Sequence, residues 1–190
     1  MMKIITLTIA ALVWIASEAF LILKDKAEGK GKVGIDQKTR NYNTISTIIA
    51  LTLSPIIGSF SVFEFSSIKI RALFWAGIVV MFSGFFLRHW SISILGNYFR
   101  TTIELEKGQK VIQNGPYKYI RHPAYSGIIL FFIGYGLTAS NWLSIIIAVI
   151  LPTISLLYRI RIEEVALENG LGIEYKNYQE KTKKIIPGIW

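Results

Sequence analysis

The stretch PAYSGIILFFIGYGLTASNWLSIIIAVILPTISLLY, residues 123–158, contains no Asp, Glu, Lys or Arg. As one helix it would be about 54 Å long, well beyond the roughly 30 Å of a bilayer core. The polar pair Ser140-Asn141 divides it into two apolar arms. We therefore predict a helical hairpin with arms at 123–139 and 142–158, both near the short limit for crossing a membrane. A hairpin that enters the membrane without fully crossing it is the alternative.

Three further apolar stretches precede the hairpin, at residues 4–23, 44–63 and 72–95. Each is long enough to cross a bilayer as a helix. The first contains only one charged residue, Glu18, and has no clear small-residue cleavage site, so we predict a retained helix rather than a signal peptide. The sequence thus predicts an all-α integral membrane protein, one domain over residues 1–190 with about five transmembrane helices.

The composition agrees with a membrane protein. Hydrophobic residues make up 52% of the chain and charged residues 17%, below the roughly 25% charged residues of soluble domains. The net charge of +9 could indicate nucleic-acid binding, but no nucleic-acid-binding motif is visible, and Lys and Arg beside apolar spans have a simpler role in orientation and lipid contact. We expect membrane lipids, and no nucleic acid, as partners.

The distribution of basic residues predicts the orientation. With five spans, the segments 24–43, 96–122 and 159–190 lie on one side of the membrane and hold 17 of the 21 Lys and Arg residues. The positive-inside rule places these segments in the cytosol and the N-terminus outside. Four or six spans would divide the basic segments between the two sides. We interpret the loop 24–43 as a solvated connector, and the other two segments as the cytosolic catalytic segments.

Several common kinds of site are excluded by missing residues. The chain has no cysteine, so it has no disulfide, thiolate metal site or cysteine nucleophile. The only aspartates, Asp25 and Asp36, are placed in the flexible first loop, which leaves little material for a Ser-His-Asp triad. No HExxH or P-loop motif occurs. Residues 29–34, GKGKVG, have the GxGxxG spacing, but they lie in the charged loop after an apolar span and not after a predicted strand, so they do not indicate dinucleotide binding. We expect no metal site.

The segment GPYKYIRHPAY, residues 115–125, combines turn signals with polar side chains. His122-Pro123 is typical of a helix start with proline in the first turn. The positive end of that helix, together with Arg121 and His122, could hold a carboxylate. An ordinary interfacial cap is the alternative.

The segment RIRIEEVAL, residues 159–167, follows the hairpin directly. If the helix continues, Arg159 and Glu163 are four residues apart and face each other. Carboxylates at a membrane interface need partners, although a surface ion pair is the simpler interpretation. Farther along, Tyr175 and Tyr178 are three residues apart, for which an amphipathic tail helix packed on the bilayer is the simpler interpretation.

Arg88 is the remaining conspicuous residue, because it lies within the span 72–95. An arginine inside a membrane is costly and indicates function by default. Snorkelling of its side chain to the interface is the alternative.

Taken together, these residues resemble the isoprenylcysteine carboxyl methyltransferase family, part of a wider group of membrane methyltransferases that includes the phospholipid N-methyltransferases. The resemblance extends over roughly 100 residues. Its elements are Arg88 with Trp90, Leu95-Gly96 with Phe99, Gly115-Pro116-Tyr117, Arg121-His122-Pro123 with Tyr125, Arg159-Ile160, Glu163-Glu164 with Leu167, Gly172, Tyr175, Tyr178 and Ile186-Pro187.

The resemblance implies a pocket for S-adenosylmethionine built from the last two helices and the segments beside them. The residues implied to bind this cofactor are Tyr117, Arg121, His122, Pro123, Tyr125, Arg159, Glu163 and Glu164. In chemical terms, Arg121 and His122 suit the cofactor carboxylate, a glutamate suits its ammonium or ribose group, and tyrosine faces suit its sulfonium. Which glutamate has which role stays open.

The resemblance also implies a lipidic acceptor, either a small molecule or a prenylated peptide. A carboxylate acceptor is already nucleophilic and needs mainly alignment, and Arg88 is our candidate to hold it. An amine acceptor would need a base such as His89, His122 or a glutamate. The candidate catalytic residues are Arg88, His122 and Glu163.

Three other functions stay open at this point. One is a phospholipid N-methyltransferase. Another is a membrane lipid or sterol reductase, for which Lys181, Lys183 and Lys184 could bind the 2′-phosphate of NADPH. The third is a non-enzymatic membrane protein that has kept the fold.

Overall fold

The computed structural model describes residues 2–28, 37–60, 67–106 and 108–189, with no side-chain description at residues 37 and 67–70. Part of the predicted loop 24–43, residues 29–36, lies outside the described residues. So do residues 61–63, the end of the predicted second span, and Asp36.

Six α-helices form almost all of the described structure. They are α1 Met2–Ala27, α2 Gln37–Gly58, α3 Ser67–Leu95, α4 Pro123–Ala139, α5 Trp142–Leu171 and α6 Ile173–Lys181. Short 3₁₀ helices occupy Gly96–Tyr98 and Gly115–Lys118. The described residues contain one isolated parallel β-bridge, between Ile120 and Lys183. The all-α prediction is confirmed.

Three of the described helices are long and apolar enough to cross a membrane, namely α1, α5 and the segment Arg71–Tyr98 around α3. Helix α4 is apolar but shorter, with 17 residues. The chain is therefore an integral membrane helical protein. The predicted number of five spans and their orientation stay predictions.

Several helices run past the apolar boundaries drawn from the sequence. Helix α1 ends at Ala27 rather than at residue 23, and α5 continues through Arg159 to Leu171. At 1.5 Å per residue, the 30 residues of α5 extend about 45 Å, longer than a bilayer core. Hydropathy marks the part of a helix that suits the membrane, whereas the backbone hydrogen bonds continue into polar residues. This extension carries Glu163 and Glu164 away from the apolar part of α5.

The predicted break at Ser140-Asn141 is present between α4 and α5. Ser140 adopts a left-handed backbone with φ of 56°, which ends α4. The Asn141 side chain then caps α5, since its Oδ1 accepts hydrogen bonds from the backbone N–H groups of Leu143 and Ser144. Its Nδ2 donates to the carbonyl oxygens of Ile57 and Phe60, which anchors the turn to the end of α2.

Helices α3 and α4 pack through glycines at a seven-residue spacing on both helices. Gly77 and Gly84 on α3 face Gly134 and Gly127 on α4. A Cβ added at Gly134 would lie 2.3 Å from the backbone nitrogen of Met81, much closer than van der Waals contact. Small residues allow this close backbone approach, as in other membrane helix pairs. The pair fixes Arg88, near the end of α3, against the start of α4.

We expect Gly134→Ala to destabilise the protein by about 1–3 kcal/mol, because the added methyl group meets backbone atoms that cannot move aside. Thermal unfolding in detergent measures the change. The control is Val79→Ala on α3, whose side chain is 64% exposed on the outer surface of the bundle. Equal melting temperatures for wild type and Gly134→Ala would contradict the close packing.

An aromatic cluster lies beneath the polar end of the bundle. Trp14 of α1 stacks on Phe131 of α4 with ring centroids 4.1 Å apart, and its edge contacts Phe132. Tyr135 donates a hydrogen bond to the carbonyl oxygen of Leu51 on α2. These contacts attach α1 and α2 to the α4–α5 hairpin, and Trp14 also lines the cavity described below.

Candidate functional site

A cavity of about 470 Å³ opens at the end of the bundle where α1 and α3 finish and α2 and α4 begin. Its volume lies within the usual range for small-molecule sites. Residues 98–105 and 109–112 line it, together with residues from all six described α-helices. Residues far apart in the sequence thus meet around one space.

The loop that precedes α4 is held in place by the C-terminal tail. His122 caps α4 and Pro123 begins it, as predicted. The backbone N–H groups of Arg121 and His122 donate to the carbonyl oxygens of Lys183 and Lys184, at 2.8 and 2.9 Å. These two N–H groups, which lie just before the first residue of the helix, are thus bound to the tail. The pairing joins the tail to the wall of the cavity.

Glu164 binds the side chains that we expected to bind a cofactor carboxylate. Its Oε1 lies 2.8 Å from Arg121 Nε and 3.3 Å from His122 Nε2, and its Oε2 lies 3.0 Å from Lys184 Nζ. Arg121 also donates to the carbonyl oxygen of Thr182. The anion beside Arg121 and His122 is therefore internal to the protein. Glu164 connects the loop, α5 and the tail.

Glu163 lies on the cavity side of the same helix. Its Oε2 accepts a hydrogen bond from Tyr125 Oη at 2.5 Å, and Arg159 Nε donates to the same hydroxyl at 2.9 Å. Arg159 and Glu163, predicted to face each other, are thus joined through Tyr125. The ring of His122 stacks on that of Tyr125 with centroids 5.6 Å apart. Glu163, Tyr125, Arg159 and His122 all line the cavity.

Three buried tyrosines complete this wall. Tyr178 Oη donates to the carbonyl oxygen of Tyr117 at 2.6 Å, which docks α6 onto the loop. Tyr175 is 3% exposed and its hydroxyl has no hydrogen-bond partner. Burial raises the pKa of Tyr117, Tyr175 and Tyr178, so these phenols stay protonated and can donate hydrogen bonds.

The interpretation of Tyr175 and Tyr178 as tail residues packed on the bilayer is therefore wrong. Both side chains are buried and both line the cavity. Their three-residue spacing indicated one helix face correctly, but it could not indicate whether that face meets lipid or protein.

Arg88 lines the same cavity but is already paired. Its Nε and Nη2 bind the two carboxylate oxygens of Glu18 at 2.7 and 2.8 Å. Its guanidinium also lies 5.6 Å from the centre of the Trp14 ring, a cation–π arrangement. The side chain is 7% exposed. His89, the other polar residue of this span, shares a 2.9 Å hydrogen bond with the carbonyl oxygen of Phe85 and does not line the cavity.

Sequence reasoning missed the two carboxylates of α1. Glu18 was noted only as a charge within a span. Asp25 was placed in a flexible loop, whereas it lies buried in the last turn of α1 and its Oδ2 accepts from the Thr101 backbone N–H and Oγ1. Glu18 within an apolar helix is a signal that could have been paired with Arg88 in advance. Nothing in the sequence pairs Asp25 with Thr101.

Two buried hydroxyls around the cavity lack partners. Thr102 Oγ1 and Tyr175 Oη belong to lining residues that are 4% and 3% exposed. A buried polar group without a hydrogen bond costs free energy, so such groups are rare in folded proteins. A ligand in the cavity with hydroxyl, amine or carboxylate groups could bond to them only after small side-chain movements, because neither oxygen is itself exposed. Among the described residues, no group of three or more His, Cys, Asp or Glu side chains could hold a metal ion.

Comparisons with a family model and with curated sequences indicate the same family. Residues 75–169 match the isoprenylcysteine carboxyl methyltransferase family. The protein YpbQ of Bacillus subtilis is 28% identical over 154 residues, 80% of this chain and 89% of its own length. The protein-S-isoprenylcysteine O-methyltransferase of Dictyostelium discoideum is 30% identical over 143 residues, 74% of this chain and 60% of its own length.

A solved structure shares the fold. It is that of the eukaryotic intramembrane Ras methyltransferase, with a TM-score of 0.55 and 23% identity, and the match covers 83% of this chain and 55% of the solved one. The chain thus spans little more than half the length of that structure and about 60% of the Dictyostelium relative.

Proposed function

Since the chain belongs to the isoprenylcysteine carboxyl methyltransferase family, which matches half of its residues, we propose that it is a methyltransferase that uses S-adenosylmethionine. The acceptor is the carboxylate of a lipidic molecule, such as an isoprenylcysteine. One observation carries the proposal: a single cavity joins the polar wall at Tyr125 and Glu163 to the apolar side chains of α1 and α2. A polar donor and an apolar acceptor can meet in such a space.

The polar wall suits the donor. S-adenosylmethionine supplies a methyl group on a positively charged sulfur. Glu163 is the carboxylate of this wall that lines the cavity, and it suits the ammonium or ribose group of the donor. The hydroxyls of Tyr175 and Thr102, which have no partner among the described residues, can bond to other polar groups of the donor. The faces of Tyr117 and Tyr125 can stabilise the sulfonium by cation–π attraction.

The remaining predicted residues take supporting roles in this proposal. Arg121 and His122 hold Glu164, and Pro123 begins α4 where these side chains meet. Arg159 orients Tyr125. His122 stacks on Tyr125 and needs no proton transfer when the acceptor is a carboxylate, because a carboxylate attacks directly. The chain therefore contributes mainly alignment and electrostatic stabilisation.

The opposite wall suits the acceptor. Trp14, Ile15, Ile22 and Ile48 line it with apolar surface, which fits a hydrocarbon tail. Arg88 also lines the cavity and is our candidate to orient the acceptor carboxylate. With the N-terminus outside, as the basic residues predict, this site faces the cytosol.

Isothermal titration calorimetry of the purified protein in detergent tests the donor. We expect heat of binding with S-adenosylmethionine and with S-adenosylhomocysteine, and none with NADPH. Binding of NADPH alone would indicate the reductase instead. Lys184, a residue of the suggested phosphate site, is within 3.0 Å of Glu164, which argues against that outcome. Incubation of membrane lipids with labelled donor then identifies the acceptor.

Tyr175→Phe is expected to weaken donor binding about 3–10-fold without lowering stability. Its hydroxyl has no hydrogen-bond partner among the described residues, so only the hydrogen bond to a ligand is lost, worth about 0.5–1.5 kcal/mol. Calorimetry and thermal unfolding measure the two effects. Unchanged affinity would remove Tyr175 from the donor site.

Tyr178→Phe is the matched control. Its hydroxyl binds the Tyr117 carbonyl oxygen at 2.6 Å, so its loss should lower the melting temperature. Both variants remove a tyrosine hydroxyl from α6. Tyr175→Phe should lower donor affinity and keep the melting temperature, whereas Tyr178→Phe should lower the melting temperature.

A further inference from the structure

Asp25 places a carboxylate in the last turn of α1, where the helix dipole disfavours a negative charge. It lies in the last turn of α1 between the exposed residues Lys24 and Lys26, and is itself only 5% exposed. The negative end of the helix dipole disfavours an anion there, and burial of a charge adds a further cost. A residue that opposes local preference in this way is typical of a functional position.

The buried carboxylate holds one residue of the cavity wall. Its Oδ2 accepts hydrogen bonds from the backbone N–H and the Oγ1 of Thr101, at 2.6 and 2.7 Å. Thr101 and its neighbour Thr102 both line the cavity. Asp25 therefore fastens the cavity-lining segment at Thr101 to the end of α1, although the two partners are 76 positions apart in the sequence.

The hydrogen bonds continue from Thr101 into the polar wall. The Thr101 carbonyl oxygen accepts from Arg159 Nη2 at 2.8 Å, and Arg159 Nε donates to Tyr125 Oη at 2.9 Å. Tyr125 Oη donates in turn to Glu163 Oε2. One continuous chain thus runs from the end of α1 through α5 and α4 to Glu163.

We propose that Asp25 is a positioning residue for the donor site. By holding Thr101 it fixes Arg159, and through Tyr125 it fixes the direction of the Glu163 carboxylate. The inference rests on the proposed function, which identifies this part of the cavity as the donor site. Asp25 precedes the family match, which begins at residue 75.

Three variants test the proposal by calorimetry with S-adenosylhomocysteine in detergent. Asp25→Ala should raise the dissociation constant about 10-fold, because the wall loses its anchor. Asp25→Asn should stay within about threefold of wild type, since an amide oxygen accepts the same two hydrogen bonds. Lys26→Ala, in the same exposed turn, should change nothing. Equal affinity of Asp25→Ala and wild type, or equal damage in the alanine and asparagine variants, overturns the proposal.

Steady-state kinetics separate positioning from general damage. We expect Asp25→Ala to raise the KM for the donor about 10-fold and to leave the KM for the acceptor within about twofold, because the chain ends at Glu163. Equal increases in both values would contradict the proposal. Thr101→Val loses the hydrogen bond from Oγ1 to Asp25 but keeps the one from the backbone N–H. Its increase in the KM for the donor should be smaller than that of Asp25→Ala, and it replaces Asp25→Ala if that variant does not fold.

Hydrogen–deuterium exchange without any ligand tests the anchor itself. Amides in the segment 99–106 should exchange faster in Asp25→Ala than in wild type and Asp25→Asn. Unchanged exchange refutes the anchor even where the donor binds normally. If Asp25→Ala exchanges faster while the wild type does not bind the donor, the anchor is supported and the proposed function is refuted, so the two failures are distinguishable.

Discussion

Replacement of Glu164 by alanine is expected to cost about 3–5 kcal/mol of stability, because it leaves the buried guanidinium of Arg121 without its anion. The side chains of Arg121 and His122 are 7% and 3% exposed, and both contact the Glu164 carboxylate. Lys184 contacts the other oxygen. The melting temperature in detergent should fall by at least about 6 °C, and the tail should detach from the loop before α4.

Glu163→Ala is the matched control for this variant. The two glutamates are adjacent, but Glu163 accepts its hydrogen bond from the neutral hydroxyl of Tyr125. We expect a small loss of stability and a loss of donor binding. Hydrogen exchange of residues 119–122 and 182–185 should increase in Glu164→Ala alone. Equal melting temperatures for the two variants would contradict the separate roles assigned to them.

Arg88→Met is expected to lower turnover of a carboxylate acceptor on the order of 100-fold, because the acceptor loses the cation that aligns it. The single change also leaves Glu18 without its guanidinium inside the bundle, so a loss of stability could obscure the result. The double variant Glu18→Met with Arg88→Met removes this difficulty. Replacement of both partners of an ion pair by apolar side chains is often neutral or stabilising.

The double variant should therefore recover the melting temperature but not the activity. Donor binding should stay within about threefold of wild type, because Glu163 and Tyr175 are unchanged. The measurements are thermal unfolding, calorimetry with the donor, and turnover with labelled donor. Near wild-type turnover in the double variant would show that Arg88 has only a structural role.

Much of the fold could be predicted because its signals are local. The 36 uncharged residues broken by Ser140-Asn141 predict the hairpin, since both the apolar length and the capping side chain lie in one stretch. His122-Pro123 predicts the start of α4 in the same way. The lengths of α1 and α5 could not be predicted from hydropathy, because helical hydrogen bonds continue past the apolar residues.

The candidate site could be predicted as a set of residues but not as a set of pairs. Arg121, His122 and Glu163 line the cavity, and Glu164 contacts Arg121 and His122. That Arg121 and His122 bind Glu164 rather than a ligand depends on the position of the tail, which no local pattern determines. The pair of Arg88 with Glu18 joins residues 70 positions apart, and only the packing of α1 against the hairpin brings them together.

A crystal structure of the protein with S-adenosylhomocysteine tests the central claim most directly. The account predicts ligand density in the cavity between α4, α5 and α6, with a hydrogen bond to the Tyr175 hydroxyl and a polar contact to Glu163. Density on the outer face of the tail, or an empty cavity at saturating ligand, would contradict it.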